Sequence, residues 1–222
     1  MPGEVTLAHM GVLFLDEFAE FNRDTLESLR QPIEDGFVHI SRAAAKLTYP
    51  CEFTLVAAMN PCPCGYYGTD ECRCSETDVR RYLSKISGPS LDRIDLQVEL
   101  KALTTKERMA PAVVGQSDRL RAKVQAARDR QQDRFKDTTI SCNATIPAGQ
   151  TFDYCSFDSE AMDLFTEIIE SNKVSTRSTN RLAKVARTLA DLGASDQIEP
   201  THVSQAKQFV VDGLLREVFS GQ

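Results

Sequence analysis

Asp16 and Glu17 are a pair of carboxylates set directly after four apolar residues, Val12 to Leu15, in the stretch GVLFLDEF. An apolar run ending on acids predicts a buried parallel strand that delivers its carboxylates at the C-terminal edge, where open α/β sheets place their chemistry. At that edge the first acid can hold Mg²⁺ and the second can orient and polarise an attacking water, which is the shape of a Walker B motif. The same pattern also arises in α/β folds as a buried strand that happens to end in two acids. A second apolar run, Phe53 to Met59, ends on Asn60-Pro61. An amide there can reach a water or a γ-phosphate beside the first strand's acids, or it simply starts a turn before Pro61.

Four cysteines follow as two C-x-C pairs, Cys62 with Cys64 and Cys72 with Cys74. Four thiolates from two short turns can close a tetrahedral Zn²⁺ site, although one intervening residue is tighter than the usual two or more; free thiols are the other reading. Two further groups are positively charged. Arg42 and Lys46 flank the turn of an expected hairpin, Phe37 to Ile40 returning through Lys46 to Tyr49, and present either a binding surface or ordinary solvated charge. Arg93 lies in a Gly88-Pro89 loop bracketed by acids, just before an alternating strand through Leu96, Val98 and Leu100; the plain reading is a local pair with Asp92 or Asp95.

The elements that must position these residues are an α/β part followed by an all-helical part. Asn22 is placed to cap a helix through Leu26, Leu29 and Ile33, bent in its last turn by Pro32 and ended by Asp35-Gly36. Ser75 to Asp78 reads as a capping box opening a helix through Val79, Tyr82 and Leu83. From about Lys101 helical periodicity takes over, so that residues 1–100 form the α/β part and 101–222 a helical subdomain. Ser117 to Phe135 is a charged helix with a thin apolar stripe and a solvated Arg face. Asp137 to Asp158 reads as a loop in which Cys142 and Cys155 are incidental, and Ser159 to Ile169 as a helix. Ser175 caps a helix ending near Gly193, and Pro200 opens a last one through Val203, Ala206, Val210 and Leu214.

Composition bounds the function. With 222 residues, 41% of them hydrophobic, the chain can bury one large core or two smaller ones. A net charge of −6 argues against a generally basic nucleic-acid coat and leaves room only for local phosphate contacts. Neither a membrane-length apolar segment nor a leader is visible, so a soluble, cytoplasmic protein is expected. Seven cysteines in such a compartment point to metal rather than disulfides. No G-x-x-x-x-G-K-[ST] phosphate loop occurs, and without it little holds the β- and γ-phosphates.

The ordered succession GEVTLAHMGVLFLDEF, LRQPIEDGFVHISRAA, LVAAMNPCPCGYYG, CRC, RYLSKISGPSLDRIDL and KVARTLADL resembles the magnesium-chelatase-like AAA+ ATPases, and within them the competence protein ComM group, over most of residues 3 to 208. The resemblance implies the second half of an AAA+ core with a pre-sensor hairpin and a cysteine insert, followed by a helical lid. It implies that Asp16 and Glu17 are the Walker B pair, with Asp16 on Mg²⁺, and that Asn60 is sensor 1. Arg93 would be an arginine finger given in trans, and Arg177, or Arg181 in its place, sensor 2. The Arg42 hairpin is similar to one that faces the pore and touches DNA in related hexameric helicases. The family usually shows Leu-Pro at Phe18-Ala19 and Leu at Ser90, differences that remove no charge. Its Walker A lies upstream of residue 1, so this sequence looks like the C-terminal part of a longer protein and should not bind ATP productively alone; residues 209 to 222 stay unassigned.

On this reading the intact protein is an ATPase in a ring, a hexamer, driving helicase-type branch migration on DNA in recombination or natural transformation. One alternative is a chelatase-type motor helping to insert Mg²⁺ into a porphyrin, which the four-cysteine insert disfavours. Another, from a different class, is a zinc-stapled binding module with no catalysis.

Overall fold

The computed structural model describes residues 3–42, 45–111 and 114–212. The chain divides between Ile94 and Asp95 into two compact units.

The first unit opens with a single helical turn, α1 (Glu4–Leu7), and a short strand, β1 (Val12–Leu15). Two helices follow, α2 (Arg23–Ser28) and α3 (Arg30–Asp35), then the antiparallel hairpin β2 (Phe37–Arg42) and β3 (Ala45–Pro50). Strand β4 (Thr54–Ala57) returns to lie parallel to β1, with Val12 opposite Thr54 and Leu15 opposite Ala57. Asn22 caps α2 as its position predicts, accepting from the Thr25 N–H at 2.8 Å. The expected bent helix is instead two helices, parted at Leu29. Pro32 explains the break, because it has no N–H for the Ser28 carbonyl and its ring crowds that carbonyl. Gly36 ends α3 with φ 70, a left-handed conformation open to glycine at little cost, and hands the chain directly to β2.

Both strands of the parallel pair depart from their expected burial. Leu13 is buried, but Val12 is 61% exposed, Phe14 59% and Val56 42%. The two four-residue strands turn Leu13, Leu15 and Leu55 inward, and among the described residues nothing covers the opposite face. The expected strand through Leu96, Val98 and Leu100 is irregular, and all three side chains are exposed. Its alternation marks a half-buried face, but an extended segment needs a neighbouring strand to become one. Here the Gln97 N–H donates instead to the Phe209 carbonyl at 3.0 Å.

Helix α4 (Glu76–Leu83) opens on the predicted capping box, Ser75 and Asp78 each bonding the other's backbone N–H, and buries Val79, Tyr82 and Leu83. The loop expected at Gly88-Pro89 is a helical turn, α5 (Gly88–Leu91), with Pro89 in its first turn and Ser87 as N-cap. Proline early in a helix loses no bond that the helix would have made.

The second unit is helical: α6 (Thr105–Arg108), α7 (Gln116–Phe135), α8 (Thr151–Tyr154), α9 (Ser159–Ser171), α10 (Thr176–Leu192) and α11 (Pro200–Val210). Its core is built on α10, where Leu182, Ala183, Ala186 and Ala190 are fully buried against Phe165 and Ile168 of α9 and Val203, Ala206 and Val210 of α11. Alanines on one face let the neighbouring helices approach closely, and the aromatic stack of Phe152, Phe157 and Phe165 closes one end. Helix α11 ends at Val210, and the expected place of Leu214 lies outside the described residues.

Three expectations change here. Cys155 is not incidental but 2% exposed within the core, where burial pushes its thiol up to about 11. The 137–158 segment is not plain loop; it carries α8 and two 3-10 turns. The Arg face of α7 is not wholly solvated, because Arg134 donates to both oxygens of Asp191, at 2.5 and 3.0 Å. Asp191 has no exposed side-chain surface and also accepts from Asn143 at 2.8 Å and Arg187 Nε at 3.2 Å. Burial alone would raise that carboxyl, but the hydrogen bonds from Arg134 and Asn143 and the charge of Arg187 outweigh it and hold it below the usual carboxylate range. Arg187 spends its other donors on the Asp196 and Ser195 carbonyls, so every charge in the cluster is met.

Candidate functional site

The parallel register of β1 and β4 decides where the predicted acids go. Both strands end on the same edge, and the ladder continues past them, with Ala58 N–H donating to the Leu15 carbonyl and Phe18 N–H to the Ala58 carbonyl, each at 2.9 Å. Asp16 and Glu17 therefore leave β1 beside Ala58, two residues before Asn60. The amide and both carboxylates are exposed at one sheet edge, as their strand ends predict. Neither acid makes an ion pair among the described residues, although Asp16 Oδ1 accepts the Glu17 N–H at 2.9 Å. Two carboxylates without a cation partner suit a divalent ion.

Glu17 sits at φ 52, ψ 43, the left-handed region that a residue with a Cβ enters at a cost of order 1 kcal/mol. The turn is held by the Phe18 N–H to Ala58 bond and by the full burial of Ala19, and it swings the Glu17 side chain away from the direction β1 would give it. Below Asn60 lies the Tyr82 phenol, whose pKa is raised chiefly by burial and lowered in part by the Asn60 backbone. Tyr82 is a buried neighbour of Asn60 that the motif reading missed. Its position on the inward face of the capped α4 is the sequence signal for it.

The four cysteines meet beside this edge. Cys62 and Cys64 sulfurs lie 3.4 Å apart, Cys64 and Cys72 3.8 Å, Cys62 and Cys72 4.0 Å, and all four fall within 4.8 Å of one another. Sulfurs about 2.3 Å from a tetrahedral Zn²⁺ stand about 3.8 Å apart, so the cluster fits such an ion. Gly65 at φ +84 permits the tight turn that closes on the Cys62 carbonyl and brings Cys64 inward. Backbone N–H groups of Arg73 and Tyr66 bring the Cys64 thiol down to about 6, whereas Cys74, despite a backbone bond from Cys64, is pushed up to about 12 by its contact with the Cys64 side chain and by burial. Purified protein is expected to carry one equivalent of zinc by elemental analysis, and chelation is expected to loosen residues 62–75 in hydrogen exchange. Zinc below roughly a tenth of an equivalent would leave four thiols and no centre.

The charged residues are placed as follows. Arg42 ends β2 opposite Ala45, and Lys46 is exposed opposite Ser41, so both flank the hairpin turn as expected; positions 43 and 44 lie outside the described residues. Arg93 is not projecting freely from a loop. Its Nη2 pairs with Glu34 Oε1 of α3 at 2.6 Å, a partner that sequence adjacency did not suggest, and its Nη1 donates to the Pro89 carbonyl. In the helical unit Arg177 is exposed in the first turn of α10, while Arg181 is 6% exposed and donates to Ser178 Oγ at 3.2 Å.

Sequence models of the magnesium chelatase subunit ChlI match residues 1–108, and those of the ChlI C-terminal region match residues 115–209. The chain belongs to the magnesium chelatase ChlI family. That family carries an AAA+ fold, in keeping with a mixed α/β unit followed by a helical one. Among its similar members, YifB of Escherichia coli, described as uncharacterized, is 44% identical over 96% of this chain and 42% of its own length. Competence protein ComM of Haemophilus influenzae is 39% identical over 92% of this chain and 40% of its own length. An uncharacterized Mycobacterium tuberculosis protein is 36% identical over 97% of this chain and 42% of its own length. The chain thus spans about two fifths of these ChlI-family relatives. No helix among the described residues is long and apolar enough to cross a membrane.

Proposed function

We propose that this chain is the second half of an AAA+ ATPase core with its helical lid, and that the whole protein couples ATP hydrolysis to movement along DNA. The observation that carries the ATPase reading is the parallel β1–β4 pair, which brings Asp16, Glu17 and Asn60 to one strand edge. Asp16 would hold Mg²⁺, Glu17 would polarise the attacking water, and Asn60 would orient that water or the γ-phosphate. The phosphate-cradling loop belongs to the upstream portion of such a protein, and the uncovered Val12, Phe14 and Val56 face offers it a surface to complete. Arg93 is the arginine finger, given to a neighbour's nucleotide in a hexameric ring, and Arg177 serves as sensor 2. Its exposure favours it over Arg181, whose guanidinium is buried. Zn²⁺ on the four cysteines would brace the insert behind Asn60.

The DNA reading rests on likeness to ComM, a competence protein, and on the Arg42–Lys46 hairpin. A chelatase-type motor remains the second reading, since the matched family is named for it. The two are separated by the hairpin. In the full-length protein, Arg42→Ala with Lys46→Ala is expected to weaken DNA binding and to make the plot of log affinity against log salt shallower by about 0.7 to 0.9 for each phosphate that the hairpin no longer neutralises. Unchanged affinity and slope would remove the hairpin from DNA. A protein that shows no DNA binding at all, with ATPase activity intact, would favour the chelatase reading. The cytoplasm follows as the compartment of a DNA motor.

A further inference from the structure

Arg93 is held more tightly than a surface arginine. Its side chain is 10% exposed, its Nη2 meets Glu34 at 2.6 Å, and its Nη1 is fixed on the Pro89 carbonyl of its own turn. Its Nε is buried with no hydrogen-bond partner among the described residues, a loss that local stability alone does not reward. The Glu27 carboxyl of α2 is held below its usual range by Ser87, the N-cap of α5, and by Arg30, with which it pairs at 2.6 Å. Glu34 of α3 therefore holds the C-terminal end of the short segment that carries Arg93.

We propose that Glu34 is the positioning residue for Arg93, fixing the guanidinium fork so that its remaining surface is aimed across the subunit interface. This deepens the arginine-finger reading and rests on it. An arginine has four rotatable side-chain bonds, and one held at two nitrogens has already lost most of that freedom before it meets a phosphate. A group misplaced by about 1 Å in such a site costs about 10²-fold in rate. Glu34 touches neither nucleotide nor water in this scheme, and acts only through Arg93.

The test uses the full-length ring. Glu34→Gln keeps the shape but loses the charge that holds the fork, and is expected to lower ATP turnover roughly 10- to 10²-fold with ATP affinity and KM little changed. Glu34→Asp, which keeps the charge one methylene short, is expected to fall between it and wild type, and serves if the glutamine variant fails to assemble. The decisive readout is mixing. A Glu34→Gln subunit retains its own Glu17, so rings mixed with Glu17→Gln subunits, whose Arg93 is intact, should regain activity. Unchanged turnover in Glu34→Gln overturns the proposal, and so does a loss of activity that mixing fails to restore, which would place Glu34 in its own subunit's structure. Arg93→Ala is measured alongside. If it turns over normally the finger reading itself fails, whereas an inactive Arg93→Ala beside a fully active Glu34→Gln removes only the positioning role.

Discussion

Full-length protein carrying Glu17→Gln should bind ATP as the wild type does and hydrolyse it at least about 10²-fold more slowly. The substitution keeps the side chain's length and hydrogen-bonding shape, so the left-handed turn at φ 52 and the Phe18 to Ala58 bond that stabilises it are undisturbed. Only the negative charge that draws a proton from the attacking water is lost. Asp16 still offers its carboxylate to Mg²⁺, which is why affinity for nucleotide should persist while turnover stops. Binding of a fluorescent ATP analogue, set beside phosphate release under saturating ATP, separates the two effects. Near-normal release would show that the β1 acids are a strand terminus and nothing more. Loss of binding together with turnover would instead assign Glu17 to the metal, and with it a different division of work between the two carboxylates.

The strand ends and caps of the first unit were legible because each rests on local chemistry. Apolar runs stopping at Asp16 and at Asn60, a capping Asn22, and the Ser75–Asp78 box each need only a few neighbouring residues to act. What failed were statements about what covers an element. Val12 and Phe14 have the composition of a strand buried on both faces, yet they are exposed, because burial depends on neighbours and, among the described residues, these four-residue strands have one partner each. The Leu96 to Leu100 alternation failed for the same reason. Partners distant in sequence were equally hidden: nothing near Arg93 points to Glu34, and nothing near Arg134 points to Asp191. The stretch KVARTLADL supported the resemblance as a motif, but its charges turn out to serve the interior. Lys184 donates to the Ala144 and Ile146 carbonyls, while Arg187 and Asp191 form the buried cluster with Arg134. An inward charge at helical spacing reads the same as an outward one until the opposite helix is known.

Arg93→Ala should abolish hydrolysis in the full-length ring while leaving the subunit folded. An arginine finger of this kind is worth roughly 10³ or more in rate. The same substitution also breaks the Glu34 pair and the bond to the Pro89 carbonyl, so a stability loss accompanies it, of about 1.5 to 3 kcal/mol for hydrogen bonds to a charged group. That loss lowers the melting temperature by several degrees but leaves the folded state dominant, so it cannot account for a thousandfold fall in turnover. The two effects are then separated by geometry. If Arg93 serves its neighbour's nucleotide, an Arg93→Ala subunit has an intact Glu17, and a Glu17→Gln subunit has an intact Arg93. Neither has activity alone. Mixed in one ring, they create sites in which the intact Glu17 of one subunit meets the intact Arg93 of the next, and activity should return in proportion to such junctions. Rings that assemble and bind ATP but stay as inactive as either parent would show that Arg93 acts within its own subunit, where Glu34 would then be its structural partner and the interface would have to find its cation elsewhere.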